Sequence, residues 1–280
     1  MSIEEEPRAS AYWSTTVSRV EQSQVFVRGY DLQDVIGSLP FAASCFLLIR
    51  GRVPTPAEAQ VLDGVLNAIL DYSLHKPGTV AARYTVSANP SMAAGLASSV
   101  LAVGKHTLDP EPAGRFILDA FARLGPEGDP ATLAQDLVDE ARARKERIPG
   151  FGHPVFRHVD PRAKKIKDLA ERHGLWGGKA QLYEAVHRAF RALPGRDAIP
   201  INDVGVMAAV LVEMGFTPEE MTGLAVMSML PGVIAHVSEE LREGPPIRIV
   251  PDEIAAYPDQ SKKNLAADVR AAGWGNESSR

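Results

Sequence analysis

The sequence predicts an all-α protein. Three observations carry that prediction. Four segments place a capping side chain directly before proline, the apolar residues that follow recur at intervals of three and four, and strand-like patterning is confined to two short stretches.

In chain order, residues 24–27 read as one short strand. The apolar stretch holding Cys45 reads as a core helix whose thiol is inert. Thr55-Pro56-Ala57-Glu58 is an N-cap, a proline at the first helical position and a capping-box glutamate; Val61, Leu62, Val65, Leu66, Ile69 and Leu70 then form an apolar stripe. Residues 91–104 are apolar and rich in small side chains nearly all round, which predicts a helix buried on all sides. Asp129-Pro130 starts a helix with its stripe at Leu133, Leu137, Val138 and Ala141, and Asp160-Pro161 starts another. Residues 206–214 and 224–230 predict buried helices, with Thr217-Pro218-Glu219-Glu220 repeating the capping box between them. Residues 247–250 read as the second short strand, and the tail from Gly273 as frayed.

With 280 residues the chain is long enough for two domains and a sizeable core. Apolar residues make up 45% and charged residues 23%, ordinary globular usage. The net charge of −5, without a basic stripe, argues against a nucleic-acid partner. A single cysteine excludes a disulfide framework and a cysteine-based zinc cluster, and no His or carboxylate pair has a persuasive metal spacing. Apolar runs break before 18 residues, so no membrane span is expected; the acidic start, MSIEEEPRAS, does not read as a signal peptide. The expectation is a soluble, cytoplasmic protein. Residues 107–203 hold just over half of the Lys and Arg, between apolar flanks. This predicts a small domain, 107–203, inserted in a larger helical one made of 1–106 and 204–280.

The segment richest in chemistry is RIPGFGHPVFRHVDPRAKKIK, residues 147–167. Pro149-Gly150-Phe151-Gly152-His153-Pro154 reads as a tight loop whose glycines allow close backbone approach to a flat ligand, with a histidine able to titrate near neutral pH at its exit. Arg162, Lys164, Lys165 and Lys167 crowd the start of the next helix, where cations oppose the helix dipole. Either a phosphate or carboxylate partner or a solvated basic face explains them. Trp176-Gly177-Gly178 reads as a turn pinned by a buried aromatic, and His236 as a satisfied core histidine.

The run GFGHPVF…DPRA resembles the acetyl-CoA loop of the citrate synthase superfamily. Similar elements are Val27-Arg28-Gly29-Tyr30-Asp31-Leu32, Phe46-Leu47-Leu48 with Gly51-Arg52-Val53-Pro54-Thr55, Ala81-Ala82-Arg83, and Pro231-Gly232-Val233-Ile234-Ala235-His236. The chain's length resembles the compact citryl-CoA lyase-like branch, which also forms the end of ATP-citrate lyase. The resemblance implies an all-α homodimer or higher homo-oligomer, with a small domain closing over coenzyme A and a di- or tricarboxylate. The implied reaction makes or cleaves a carbon–carbon bond between an acyl-CoA, such as acetyl-CoA, and a keto acid such as oxaloacetate. A CoA thioester is its substrate and no metal is called for.

Residue by residue, the resemblance implies catalytic roles for His153, Asp203 and His106, and substrate binding by Arg162, His75 and Arg248. Ile148, Pro149, Gly150, Phe151, Gly152 and Lys165 are the implied CoA contacts. His153 and Arg162 match the family's pattern in register. Others depart from it. Tyr72 stands where a substrate-binding histidine would, with His75 three residues late; His106 is one residue early and lacks the two following glycines. Asp203 is in register if Pro200 is aligned, and otherwise caps the helix beginning near Val204. Met229-Leu230 stands where many relatives carry an arginine. These departures leave two other readings open: a diverged CoA-thioester enzyme with a different acceptor, and a non-catalytic CoA-binding or partner subunit.

Overall fold

The computed structural model describes residues 12–258 and 261–274; the acidic start and the last six residues of the tail lie outside them. Among the described residues are twelve α-helices and one small three-stranded sheet. The sheet is an antiparallel meander of β1 (Ser18–Val20), β2 (Val25–Val27) and β3 (Tyr30–Asp31). A short α1 (Leu32–Val35) leads to α2 (Phe41–Arg50) and α3 (Pro56–Asn67). Then follow α4 (Pro77–Ala88), α5 (Met92–Leu101), α6 (Glu111–Leu124) and α7 (Pro130–Arg144). The remaining helices are α8 (Pro161–Arg172), α9 (Gly178–Arg191), α10 (Asp203–Glu213), α11 (Pro218–Glu243) and α12 (Leu265–Ala271).

All four predicted starts are capped as their residues dictate. Thr55 and Thr217 form complete capping boxes with Glu58 and Glu220, while Asp129 and Asp160 accept amide hydrogens of their own first turns. α10 lies at the centre of the molecule, against α6, α8, α9 and α11, and is buried from Val206 through Val212. The main core surrounds it, drawing Val61 and Leu62 from α3, Ile117 from α6, Ile166 from α8, Tyr183 from α9 and Met221 from α11. A second core joins α7 and α9 through Leu137, Val138, Leu182 and Val186, with Ile148 from the loop after α7.

Several expectations need correction. Residues 247–250 form no strand: Ile247 takes a left-handed φ of 53°, and the amides of Ile247 and Arg248 donate to Ser87 O and Oγ at the end of α4, leaving no extended partner. Strands β1 and β3 were too short and exposed for alternation to reveal them. α5 is not buried all round; only Gly95 and Ser99 are, while Leu101 is 85% exposed, so one apolar face has no cover among the described residues. α11 runs through Pro231 as one 26-residue helix, long and apolar enough by composition to cross a membrane, contrary to the sequence expectation. It packs against α3, α4, α5, α6 and α10, the position of a core helix. Finally, α10 is capped by Asn202, whose side chain accepts from the Gly205 amide, so Asp203 is the first helical residue rather than the cap.

That one-residue difference sets up the loop between α7 and α8. The Asn202 amide donates to Gly150 O at 2.9 Å, its Nδ2 donates to Gly152 O at 2.8 Å, and the Gly152 amide donates to Pro200 O at 2.8 Å. Tyr183 Oη donates to Pro149 O at 2.6 Å. Residues 149–152 are thereby fastened to the segment entering α10. Gly150, at φ 81°, lies against Gly205: a Cβ on Gly150 would overlap Tyr183 Oη and come within 2.6 Å of Gly205 Cα.

Two stability predictions follow from these contacts. Arg52 hydrogen-bonds the Glu58 carboxylate and, despite the opposing effect of burial, holds its pKa down at about 2. The folded value lies below the ordinary one, so this stabilisation is present above about pH 4.3 and is lost as pH falls towards 2. Glu58→Gln is expected to lower the unfolding free energy by about 2 kcal/mol at pH 7, a gap that closes as urea titrations are taken down to pH 2. Gly150→Ala combines overlap with a positive φ and should cost about 3 kcal/mol or more, whereas Gly152→Ala, whose Cβ would meet only Ile199 Cγ2 in ordinary contact at 3.8 Å, should cost about 1–2 kcal/mol in the same urea titrations.

Candidate active site

The polar residues of the site stand at helix starts. Asp160 is the joint between two of them and is 1% exposed. Its Oδ1 accepts from the Arg162 amide at 3.0 Å, capping α8, and its Oδ2 accepts from the Asp203 amide at 3.2 Å, at the start of α10. The same carboxylate grips the Arg162 side chain, with Nη2 donating to Oδ2 at 2.8 Å and Nε to Oδ1 at 3.2 Å. Burial alone would raise the Asp160 pKa; the Arg162 bonds outweigh it and hold the carboxyl below its ordinary value.

Held this way, Arg162 reaches two further groups. Nη1 lies 2.8 Å from Asp203 Oδ2, an ion pair without hydrogen-bonding angles, so this buried oxygen is left with no hydrogen-bond donor. Nη2 lies 3.1 Å from His153 Nε2. The amides of Val155 and Phe156 both donate to His153 Nδ1, at 3.1 Å each, which assigns the ring proton to Nε2. The Nε2–H and the Arg162 N–H groups therefore face each other, two donors with no acceptor between them. Burial lowers the His153 pKa, with Arg162 and Lys76 adding to the effect and Asp160 and Asp203 opposing it. The imidazole is neutral at pH 7, a donor aimed at an incoming oxygen.

Tyr72 and Lys76 complete the cluster. The Tyr72 ring lies 5.0 Å from the Arg162 guanidinium and 6.0 Å, edge to face, from the His153 ring. Lys76 stands at the N-cap of α4, its ammonium 5.4 Å from the Tyr72 ring centre; burial lowers its pKa, Asp203 opposing and Arg162 adding. His153, Asp160 and Asp203 have ligand atoms within 4.8 Å of one another, a spacing that could also hold a cation; their positive partner here is Arg162.

Beside the cluster opens a cavity of about 660 Å³, within the range of small-molecule sites. His153 and His106 both line it, with Ile148, Phe151, Gly152 and Asn202, and Lys105, Arg147 and Arg196 bring three cations against the single carboxylate of Glu146. His106 is exposed, on a turn closed by a Gly104–Thr107 bridge. Phe151 is only half available to a ligand, because its ring packs on Tyr183, His187 and Phe190.

Three expected site residues lie elsewhere. Lys165 is exposed on the flank of α8 facing α3, beside Gly64 and Asn67 in a separate cavity. His75 is exposed in a 3-10 turn, 6.0 Å from the Tyr72 ring, one aromatic removed from His153. Arg248 is paired with Glu240, which Arg83 also holds, at the far end of α11. His236 hydrogen-bonds Asp71 at 3.1 Å, and Trp176 is buried with its Nε1 donating to Glu184. In the sequence Asp160 shows only as a cap, and Lys76 stands outside the motifs given above. A lysine immediately before a helix-starting proline, against the helix dipole, was the available sign.

Residues 54–250 match the family model of the citrate synthase C-terminal domain. Citrate synthase 2 of Bacillus subtilis is 26% identical over 192 residues, 69% of this chain and 50% of the relative. The chain spans half to three fifths of the length of such curated relatives. Among solved structures, the citryl-CoA lyase of Hydrogenobacter thermophilus superposes with a TM-score of 0.84 at 29% identity, covering 93% of this chain and 100% of the other. The Thermoplasma acidophilum citrate synthase in ternary complex with carboxymethyl coenzyme A and oxaloacetate gives a TM-score of 0.65 at 25% identity, covering 82% of this chain and 60% of the other. With a family model spanning well over half of its residues and this all-α architecture, the chain belongs to the citrate synthase family.

Proposed function

We propose that this protein is a citryl-CoA lyase or citrate synthase-like enzyme, making or cleaving a carbon–carbon bond between an acyl-CoA and a keto acid. The observation that carries the reading is the meeting of Asp203 Oδ2, His153 Nε2–H and Arg162 around one point beside a cation-lined cavity.

In the synthetic direction, Asp203 Oδ2 removes a proton from the carbon next to the thioester carbonyl, and His106, from the cavity wall, faces the enolate oxygen. The enolate carbon attacks the keto carbon and forms the new bond. The keto oxygen becomes an alkoxide against His153 Nε2–H and Arg162, filling the space between two donors, and takes up one proton from solvent as Asp203 releases the one it removed. Cleavage is the reverse. Preorganised donors of this kind contribute about 10²–10³-fold each, and a positioned base about 10²–10⁴-fold. Arg162 also takes the acceptor's carboxylate, which frees Asp203 from its ion pair as substrate arrives. The 660 Å³ cavity fits the CoA thioester's arm, with Lys105, Arg147 and Arg196 for its phosphates and the side-chain-free Gly152 in its wall. In this reading residues 107–203 act as the CoA-binding small domain, and the uncovered face of α5, with Val100 and Leu101, is buried in a homodimer.

Proton exchange into the methyl group of acetyl-CoA in deuterated water, followed by NMR, and turnover of citryl-CoA test the reading. Asp203→Asn should lower both by about 10³-fold while CoA affinity stays within threefold. Loss of CoA binding in the native protein, or unchanged exchange in the variant, contradicts it. Because His153 is neutral and its pKa lies below the ordinary value of about 6.5, kcat/KM should hold at pH 7 and fall only at lower pH, where a proton on Nδ1 would face the Val155 and Phe156 amides.

A further inference from the structure

Adjoining the cluster is a second cavity, of about 20 Å³, that the reaction above leaves unused. A water needs about 10–15 Å³, so the space suits one group of methyl or ethyl size. Its walls are mostly apolar, with Ile69, Val103, Leu108, Met229 and Val233, and also carry Asp71, Thr79 and Thr107. Its near wall is Tyr72 and Lys76, the side chains that stand against Arg162, His153 and Asp203. Lys76 is the single cation among the residues lining it. One polar atom in the wall has no partner, Ser99 Oγ, in a residue that is 0% exposed.

This arrangement discriminates by charge. A keto acid whose carboxylate and keto oxygen rest on Arg162, Lys76 and His153 has one remaining substituent, and Tyr72 and Lys76, which border both the cluster and this cavity, put the cavity within that substituent's reach. A carboxylate placed there, with Lys76 already taken by the acceptor's own carboxylate, would give up its hydration to face methionine, valine, the neutral hydroxyls of Thr79, Ser99 and Thr107 and the like charge of Asp71, an unfavourable exchange. A short alkyl arm loses nothing and removes apolar wall from water. Ser99 Oγ adds room for one neutral hydrogen-bonding group.

We propose that this cavity is the side-arm subsite of the acceptor and that it selects a short uncharged arm over a second carboxylate, so that the acceptor is a short-chain 2-oxo monocarboxylate. This rests on the carbon–carbon bond reading above and narrows its acceptor: citryl-CoA, the oxaloacetate adduct, is then turned over, but more slowly than the corresponding adduct of 2-oxobutanoate.

The test is calorimetric titration of the full chain, with CoA present, by three probes: glyoxylate, which has no arm; 2-oxobutanoate, with a short uncharged one; and oxaloacetate, with a charged one. The native protein should bind 2-oxobutanoate at least tenfold more tightly than oxaloacetate. Val103→Phe, which fills the cavity, should weaken 2-oxobutanoate at least tenfold and glyoxylate less than threefold. Met229→Arg should reverse the preference between 2-oxobutanoate and oxaloacetate, while the neutral Met229→Gln keeps it; should the arginine variant fail to fold, Val103→Phe decides. Oxaloacetate binding as tightly as 2-oxobutanoate, neither acid binding, or Val103→Phe weakening glyoxylate and 2-oxobutanoate alike overturns the proposal. Acetyl-CoA proton exchange in the same preparation separates the two readings. Exchange with an oxaloacetate preference removes only the subsite; tight 2-oxobutanoate binding without exchange removes only the reaction.

Discussion

A buried carboxylate holds the site together. Asp160 caps α8, accepts the first amide of α10, and grips Arg162 through both oxygens. Taking such a group out of water is costly unless every lone pair is used, and here amides and guanidinium use them. Because Asp160 is bound to two helix starts at once, α8 and α10 cannot shift independently without leaving a buried charge unpaired. Arg162 therefore has a fixed place, and the positions of Asp203 and His153 relative to it follow. The clamp of Asn202, Gly150, Gly152 and Tyr183 then fixes the loop that carries His153 against the same helix start.

What stays unsatisfied is as informative as what is paired. Asp203 Oδ2 is buried without a hydrogen-bond donor, and the His153 Nε2–H meets a guanidinium rather than an acceptor. Natural cores rarely leave such groups unmet. In the proposed reaction an arriving oxygen-bearing anion accepts from His153 and draws Arg162 away from Asp203, and Asp203 Oδ2 is then met by the proton it removes. The free protein is arranged for charge it does not yet hold, the economical form of electrostatic preorganisation.

Much of this fold was legible in the residue order because helix starts are local chemistry. Thr55, Asp129, Asp160 and Thr217, each followed by proline, state their caps within four residues. The loop at Gly150–Gly152 was equally plain, since a left-handed backbone leaves glycine as its mark. Cover was not legible. α5 has the composition of a buried helix, but what lies against its outer face is not written in its own residues. Nor was the one-residue choice between Asn202 and Asp203 as the cap of α10, since either can cap. That choice turns a side chain by about 100° and decides whether Asp203 spends its carboxylate on its own helix or presents it to Arg162. Lys76 and Tyr72 approach Arg162 from about ninety residues away, a proximity no local pattern encodes.

The central claim is that Asp160 positions Arg162 for chemistry rather than only capping a helix. Asparagine caps as well as aspartate but lacks the charge. Exchange of the acetyl-CoA methyl protons with solvent, measured in Asp160→Asn alongside its unfolding curve, separates the two roles. The account predicts at least a tenfold loss of exchange, with native-like cooperative unfolding and normal CoA affinity. Exchange at the native rate in a folded Asp160→Asn protein would contradict it.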